Sequence, residues 1–220
     1  MKNTSDLTIL DSIFNNNFKE CVVGEDTSVI NIKSSTFSKN IGNCIDISDD
    51  VNCNLSECSI GNNNCAGLFQ RVRSISEVSR CKIFDNVLGN VITTLLTQGN
   101  FSNNEIFYSG PSFVDGDLIN VHCFDCSKCH FDNDHIYGYG QRKTVIGIVA
   151  SNTANVFIRD CLLRKLGAVA IYEDDSSIYI TDATIKDFYE VYAMGDDTAT
   201  LGLVRCRYED FDSSLEFEEA

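Results

Sequence analysis

The chain has 220 residues, and 43% of them are hydrophobic, which is enough to fill the core of a sizeable domain. Its formal charge of −15 argues against nucleic-acid binding, because that binding depends on lysine and arginine contacts to phosphates. One proline, no tryptophan and 14 glycines, together with abundant asparagine, favour short strands joined by tight turns over a bundle of helices.

Residues 1–6 lack the apolar stretch of a signal peptide. Nowhere does the chain approach the run of about 18 apolar residues that marks a membrane span. We therefore expect no membrane span. An intracellular location is favoured if Met1 is the native start, and a cell-surface or extracellular one if the chain is a fragment of a longer protein.

Similar units follow one another along the whole chain, beginning near residues 9, 32, 55, 78, 101, 126, 158, 180 and 203. Each unit has an apolar residue, two variable residues, a small or thiol residue, one variable residue and a large apolar residue. A period of this length is typical of a solenoid. The sequence predicts an all-β, right-handed parallel β-helix of about nine coils over residues 1–220, without a second domain.

Equivalent residues of successive coils are expected to stack at about 4.8 Å. The first core column is predicted to contain Ile9, Ile32, Leu55, Val78, Phe101, Cys126, Ile158, Ile180 and Leu203. The turn column, where a small side chain points inward at a tight bend, contains Ser12, Ser35, Cys58, Cys81, Asn104, Cys129, Cys161, Ala183 and Cys206. The third column contains Phe14, Phe37, Ile60, Ile83, Ile106, Phe131, Leu163, Ile185 and Tyr208.

Six of the 11 cysteines fall in these columns, so we interpret them as buried, reduced thiols that form a cysteine ladder. Opposite charges at equivalent positions of neighbouring coils support the alignment. Glu57 is predicted to lie beside Arg80, and Lys82 beside Glu105. Lys128, Asp160, Asp182 and Arg205 are predicted to occupy successive coils.

The first four units continue as Phe/Ile-x-x-Asn, from Phe14 to Asn17, Phe37 to Asn40, Ile60 to Asn63 and Ile83 to Asn86, each followed by a short apolar strand. This pattern resembles the FxxN and GGA[ILV] repeats of polymorphic-membrane-protein-like surface β-helices, and more broadly the pectate-lyase-like superfamily. The resemblance implies a right-handed β-helix. Its members include polysaccharide lyases and hydrolases, adhesins, phage tailspikes and structural solenoids, so it implies no single function. Asparagine at this position is predicted to adopt a left-handed turn.

All three histidines and three cysteines lie in residues 122–135, with the spacing of zinc ligands in Cys123, Cys126 and Cys129. The repeat directs Cys126 and Cys129 into the core and His130 outward. We therefore predict packing rather than a structural zinc site.

Two insertions interrupt the period, GPSFVDGD (110–117) and HIYGYGQRK (135–143), and both are expected at the same edge of neighbouring coils. Loops of this kind can bind a sugar or a protein partner, and they can equally be tolerated surface insertions. The candidate binding residues are Phe113, Asp115, Tyr137, Tyr139, Arg142 and Lys143.

Acidic pairs recur after the strand that follows the Asn position. Stacked carboxylates of this kind could bind Ca²⁺, although a solvated acidic turn is the simpler interpretation. The candidate ligands are Asp174, Asp175, Asp196 and Asp197, with Asp174 over Asp196 and Asp175 over Asp197. No other cofactor is predicted.

The outward residues of that same strand are predicted to be Asp46, Thr93, Asn120, Gly147, Ala170, Tyr192 and Glu216. They include no neighbouring pair of carboxylates, the arrangement that a glycosidase needs. The leading hypothesis is therefore a non-enzymatic scaffold or interaction module, a subunit or segment of a larger assembly with protein partners at its ends or flank. The alternative is a carbohydrate-active β-helix, either a polysaccharide lyase or glycoside hydrolase or a sugar-binding adhesin.

Overall fold

The computed structural model describes residues 5–110, 118–139, 145–188, 190–192 and 198–209. Every regular element in these ranges is a β-strand, and the strands form three parallel sheets around which the chain winds as a β-solenoid. This confirms the predicted all-β class and solenoid architecture. Two sheets have nine strands and the third has eight, close to the nine coils predicted. No helix in the described ranges is long and apolar enough to cross a membrane.

Each of the first eight coils contributes one strand to each sheet, the last described coil contributes strands to sheets A and B, and all neighbouring strands are parallel. Sheet A contains β1 (Asp6–Leu10), β4 (Val29–Lys33), β7 (Asn52–Ser56), β10 (Ile75–Ser79), β13 (Gln98–Ser102), β16 (Lys128–Asp132), β19 (Asn155–Arg159), β22 (Ser177–Thr181) and β25 (Thr200–Val204). Sheet B contains β2 (Ile13–Asn15), β5 (Thr36–Ser38), β8 (Ser59–Gly61), β11 (Lys82–Phe84), β14 (Glu105–Phe107), β17 (His135–Tyr137), β20 (Leu162–Arg164), β23 (Thr184–Lys186) and β26 (Arg207–Glu209). Sheet C contains β3 (Val22–Gly24), β6 (Ile45–Ile47), β9 (Ala66–Gln70), β12 (Gly89–Thr93), β15 (Leu118–Cys123), β18 (Val145–Ala150), β21 (Ala168–Tyr172) and β24 (Glu190–Tyr192).

The core consists of inward side chains stacked coil on coil. In the inner strands of sheet A the burial alternates, as in β7, where Cys53 and Leu55 are buried and their neighbours face outward. The rings of Phe14 and Phe37 stack with centroids 4.7 Å apart, as expected for one coil spacing. Each large apolar side chain that is fully buried in this way contributes about 1.5–3 kcal/mol.

The sixth coil departs from the predicted alignment. Phe131 pairs with Phe101 in sheet A, and Ile136 pairs with Ile106 in sheet B, so this unit begins at residue 131 rather than 126. Cys126, predicted in the first core column, is exposed in a turn. The turn column at this coil is occupied by Asp134 instead of Cys129, although Cys129 is buried under sheet A. The segments that begin at residues 126 and 131 both have an apolar residue five positions before another apolar residue. The sequence pattern therefore fits either starting point, and the predicted one is wrong.

The turn column has a hydrogen-bonding role besides packing. Its side chains accept the backbone N–H of the equivalent residue one coil earlier. The Oγ of Ser35 accepts from Ser12 at 3.1 Å, and the Sγ of Cys81 accepts from Cys58 at 3.4 Å. The thiol of Cys81 in turn donates to the carbonyl of Ser79 at 3.3 Å. Of the residues predicted for the turn column, Cys58, Cys81, Cys161 and Ala183 are buried. Cys206, at the last described coil, is partly exposed.

The FxxN asparagines point into the core and do not themselves adopt the left-handed conformation. That conformation belongs to the preceding residue, for example Lys39 with φ 56° and Asn62 with φ 58°. The amides instead bond to one another through the solenoid, because a buried amide must find partners for both its donors and its oxygen. This buried asparagine ladder runs through Asn17, Asn40, Asn63, Asn86, Asn90 and Asn120.

The predicted charge pairs are confirmed where the alignment was correct. Arg80 lies 3.0 Å from Glu57, and Lys82 lies 3.2 Å from Glu105. Arg205 lies 2.6 Å from Asp182. Lys128 does not precede the turn column, because the sixth coil is displaced. It begins β16 and lies 5.4 Å from the ring of Phe157.

Candidate functional site

Two of the predicted binding residues lie in or next to a strand. Tyr137 is the last residue of β17, and its ring stacks on Phe107 at 4.6 Å. The guanidinium of Arg164 lies 5.1 Å from the same ring on the next coil. Burial and the nearby Glu105 raise the pKa of Tyr137. These contacts place Tyr137 on the outer face of sheet B, at the end of β17 rather than in a loop, and its role in binding stays a prediction.

The other predicted binding residues surround this strand in sequence. Tyr139 is partly buried and packs against the core. Phe113, Asp115, Arg142 and Lys143 lie outside the described residues. The two insertions do fall between neighbouring strands of sheets B and C, between β14 and β15 and between β17 and β18. A binding role for these loops remains a prediction.

The acidic turn after β21 is exposed to solvent. Asp174 and Asp175 both have a left-handed backbone, with φ 52° and 58°. The backbone N–H of Asp175 donates to the Oγ1 of Thr198 at 3.1 Å, so Thr198 is the residue beside it on the next coil. Asp196 and Asp197 lie outside the described residues. Calcium binding by these acids remains a prediction.

The three histidines of residues 122–135 lie on three different outer faces of the solenoid, whereas the thiol of Cys123 donates to the Sγ of Cys129 at 3.1 Å in the core. His122 lies on the outer face of sheet C beside Phe124, His130 on that of sheet A against Phe157, and His135 on that of sheet B beside Tyr137. Burial lowers the pKa of all three histidines, that of His135 to about 4. In the described ranges no three His, Cys, Asp or Glu residues are grouped so that they could share a metal ion.

Cys126 is the only exposed cysteine among the 11, and its Sγ shares a hydrogen bond of 2.8 Å with the Oγ1 of Thr153. We predict that a thiol reagent modifies Cys126 first in the native protein, and that the buried thiols react only on unfolding. Mass spectrometry of the partly modified protein checks this order. The Cys126→Ser variant should lack the fast phase, whereas Cys81→Ser should keep it. A fast phase that survives in Cys126→Ser would contradict the exposure pattern.

Sheet A carries a shallow groove of about 540 Å³ on its outer face. A row of three stacked rings, His130, Phe157 and Tyr179, lines it, with centroid spacings of 4.8 and 5.6 Å. The ion pair of Asp132 and Arg159 borders the row at 2.7 Å. Because the rings cover one another's faces, mainly their edges are presented to the groove. The error in the sixth coil hid this row from the sequence alignment.

Asp134 is a carboxyl group buried in the turn column. Its Oδ1 accepts from the backbone N–H and the side-chain amide of Asn104, at 2.6 and 3.0 Å, and its Oδ2 accepts from the N–H of Asp132 at 3.1 Å. Burial nevertheless raises the pKa of Asp134 to about 7, against the opposing effect of these N–H donors. Asp134 therefore holds the coil together through these hydrogen bonds, but its ionisation at higher pH lowers the free energy of unfolding.

The outer face of sheet C is largely apolar, with Asp46 and His122 as polar members of its central row. Of the residues predicted to face outward there, Asp46 does so and pairs with Arg71 at 3.1 Å, whereas Thr93, Asn120 and Ala170 point into the interior. The alternation of inward and outward residues is interrupted in these strands, because the adjacent residues Asn90 and Val91 are both buried, as are Asn120 and Val121. The residues that share the register position of Asp46 are Val23, Phe69, Ile92, His122, Val149 and Ile171.

A second apolar cluster, separate from the core, lies on this face. Ile146, Val149 and Ala168 form its buried part, and Ile119 and Ile171 pack against it half-buried. The outer face of an exposed sheet is normally polar. A row of apolar side chains across several coils is the kind of surface that binds another protein.

The FxxN residues build the buried asparagine ladder, which accounts for their recurrence in physical terms. Comparison with protein-family models, with curated protein sequences and with solved structures gives no match to this chain.

Proposed function

We propose that the chain is a non-enzymatic interaction module, a β-helix component of a larger assembly that binds a protein partner on its flank. The observation that carries this proposal is the apolar outer face of sheet C, with Phe69, Ile92, Val149 and Ile171 in one row across the coils. Protein interfaces bury apolar side chains at their centre, and a row of this kind supplies them on a rigid support.

The ladders support this proposal because they fix the surface in position. Ion pairs and stacked rings between coils involve many of the outward side chains of sheets A and B, for example Arg80 with Glu57 and Phe107 with Tyr137. Each exposed pair contributes at most about 1 kcal/mol, but together they hold the register of the solenoid. We include in the proposal the right-handed winding and the relationship to the pectate-lyase-like superfamily that the FxxN repeats suggest.

Docking at an end of the solenoid belongs to the same proposal. On the first described coil, Ile13 and Phe18 are 78% and 81% exposed. Among the described strands, β1 pairs with β4 on one edge and β2 pairs with β5 on one edge. A further coil or another chain would cover these apolar groups and pair the remaining backbone groups.

The test of partner binding is the size and composition of the assembly recovered with the native protein. We expect the wild-type chain to be recovered in a complex with another protein, and the Ile92→Asp and Ile171→Asp variants to be recovered free and still folded, with a lower melting temperature because both side chains are half-buried. Tyr179→Asp, an equally hydrophobic-to-acid change on sheet A, serves as the control and should leave the complex intact. Recovery of the wild type as a free monomer, or complexes that survive in both sheet C variants, would refute the proposal.

Carbohydrate binding is the second candidate, and the groove on sheet A favours it. Glu77 and Asn100 continue the column of rings beyond His130, and Asp132 borders His130 on the same strand, so the groove combines polar groups at one end with the ring of Tyr179 at the other, a combination suited to sugar hydroxyls. We rank it second because the stacked rings turn their edges rather than their faces to the groove. Retention on immobilised polysaccharides that is lost in Tyr179→Ala would favour this candidate, whether the chain acts as a lyase or hydrolase or only binds the sugar.

A further inference from the structure

The row of turns that joins sheet C to sheet A contains an apolar segment in a conformation unsuited to it. In each of several coils two successive turn residues have a left-handed backbone. At the fourth coil these are Leu95 and Leu96, with φ 58° and 64°, and they are 47% and 63% exposed. Bulky residues rarely adopt this conformation, which asparagine and glycine adopt readily. Neither folding nor solubility therefore favours two leucines here.

The neighbouring turns extend the apolar surface. Val72 occupies the same position as Leu95 one coil earlier, and the N–H of Arg73 donates to the carbonyl of Leu95 at 2.9 Å. Cys126 occupies the position of Leu96 one coil later, where the N–H of Leu96 donates to the carbonyl of Asp125 at 3.1 Å. Together these residues line a shallow groove of about 790 Å³.

Carboxylates flank this apolar segment along the solenoid axis on both sides. Asp49 and Asp50 lie one coil before Val72, and Arg73 pairs with Asp50 at 3.1 Å. On the other side, Asp125 lies one coil after Leu95, and Asp174 lies two coils beyond Asp125. With coils about 4.8 Å apart, acids stand about 5–15 Å from the leucines. Arg73 compensates the charge of Asp50, and the remaining acids, Asp49, Asp125 and Asp174, leave the row with a net negative charge that is complementary to a ligand with basic groups around an apolar centre.

We infer that this turn row is a docking site for a basic, leucine-rich segment of a protein partner. The apolar side chains of the partner segment would cover Leu95 and Leu96, and its lysine or arginine side chains would pair with the flanking carboxylates. The inference rests on the proposed function, since it gives the chemistry of the partner that an interaction module of this kind binds. It adds a surface at the edge of sheet C that is distinct from the face centred on Ile92.

The probe for this site is a short fluorescent peptide of alternating lysine and leucine, whose binding to the full chain is followed by anisotropy. The double variant Leu95→Asn, Leu96→Gly should weaken binding about tenfold or more, because two exposed leucines are lost. The same variant should melt about 5 °C higher, because asparagine and glycine relieve the left-handed turn. If the two leucines served only the structure, the double variant would bind the peptide as the wild type does, and its melting temperature would be lower or unchanged.

Two further sets of measurements test whether the carboxylates contribute to peptide binding and whether binding is confined to the turn row. Asp174→Asn with Asp175→Asn should also weaken binding of the peptide, and salt should weaken its binding to the wild type. Tyr179→Ala, on the outer face of sheet A, should leave the affinity unchanged. Equal affinity in the leucine double variant and the wild type would overturn the inference, as would an equal loss in Tyr179→Ala. If the leucine variant does not fold, the aspartate variant decides in the same way.

The same variants separate this inference from the proposed function. If the native complex is lost in Ile92→Asp but peptide binding and the complex both survive in the leucine variant, the docking site is wrong and the interaction module stands. If the wild type is recovered as a free monomer, the proposed function falls whatever the peptide does.

Discussion

Replacing Asp134 by asparagine is expected to raise the free energy of unfolding above pH 7 by about 3 kcal/mol. Burial raises the pKa of Asp134 from 3.8 to about 7, and each factor of ten in the dissociation constant corresponds to about 1.4 kcal/mol. Keeping this carboxylate ionised in the core therefore costs about 4 kcal/mol at neutral pH. The loss of the hydrogen bond from the N–H of Asp132 to the Oδ2 of Asp134 offsets about 1 kcal/mol of the gain.

The asparagine keeps the other contacts because its oxygen can still accept both N–H groups of Asn104. The turn column itself provides the precedent. One coil earlier, the Oδ1 of Asn104 accepts the N–H of Cys81 at 2.8 Å, and its Nδ2 donates to the carbonyl of Val78 at 3.0 Å. An amide therefore fits this position without a charge.

The pH dependence has a definite sign. Between about pH 4 and pH 7 the folded state holds a proton on Asp134 that the unfolded state has released, so this group's contribution to stability decreases as the pH rises. Above pH 7 its cost is constant. His135 acts in the opposite direction, because burial lowers its pKa to about 4 and the folded state then binds fewer protons below pH 6.5. The difference between wild type and variant isolates Asp134.

Denaturant unfolding of both proteins from pH 4 to pH 8 measures this difference. It should be near zero or slightly unfavourable to the variant at pH 4 and should reach its full value near pH 7. Asp132→Asn is the matched control, since the ion pair with Arg159 lowers the pKa of Asp132 and its replacement should lose rather than gain stability as the pH rises. A difference between wild type and Asp134→Asn that does not vary with pH would contradict the explanation.

The repeat made most of the architecture predictable, because stacking requires equivalent residues at constant spacing. Where the spacing is 23 residues, the predicted partners coincide with the observed ones, as for Ile32 with Leu55 and Phe37 with Ile60. The insertions remove that constraint. At the sixth coil two alignments offered an apolar residue, a small residue and another apolar residue, and only the pairing of Phe131 with Phe101 distinguishes them.

The candidate surfaces were harder to predict because they depend on which way a side chain points. Thr93 and Asn120 look like outward polar residues in the sequence, yet they are buried. The correct positions are Ile92 and His122, one and two residues away. A shift of one residue along a strand exchanges interior and exterior, as for Thr93 and Ile92. Asn120 and Val121 are both buried, so the alternation is interrupted there and His122 is the next outward residue. The apolar face of sheet C was therefore hidden, although its hydrophobic residues are plain in the sequence.

The buried asparagine ladder also shows what a sequence motif alone leaves open. The Phe/Ile-x-x-Asn pattern ends at Asn86, but the ladder continues through Asn90 and Asn120, which are part of sheet C. Their amides donate to the carbonyls of Phe107 and Tyr137 at 2.9 and 3.2 Å. Two different sequence positions thus serve one continuous row of amides, because what matters is the stacked location and not the motif.

Removing one amide from the middle of this ladder is expected to be among the most destabilising single changes in the chain. In Asn63→Ala the backbone N–H and the amide of Asn40 lose their acceptor, at 2.9 and 3.0 Å. The carbonyl of Phe37 and the Oδ1 of Asn86 lose their donor, at 3.3 and 2.8 Å. Each buried group left without a partner costs about 1–3 kcal/mol, and partial relaxation of the coil recovers some of this. We expect a loss of about 4 kcal/mol.

The control for this change is an asparagine ladder on the surface of the same coils. The Nδ2 of Asn54 donates to the Oδ1 of Asn31 at 2.9 Å, a distance equal to those in the core, but the pair is exposed to solvent. Water replaces the lost bond there, so Asn54→Ala should cost less than about 0.5 kcal/mol. Chemical denaturation of the two variants beside the wild type measures both values. If Asn63→Ala and Asn54→Ala lost similar stability, the buried asparagine ladder would not be what holds these coils together, and the recurrence of Asn at this position would need another cause.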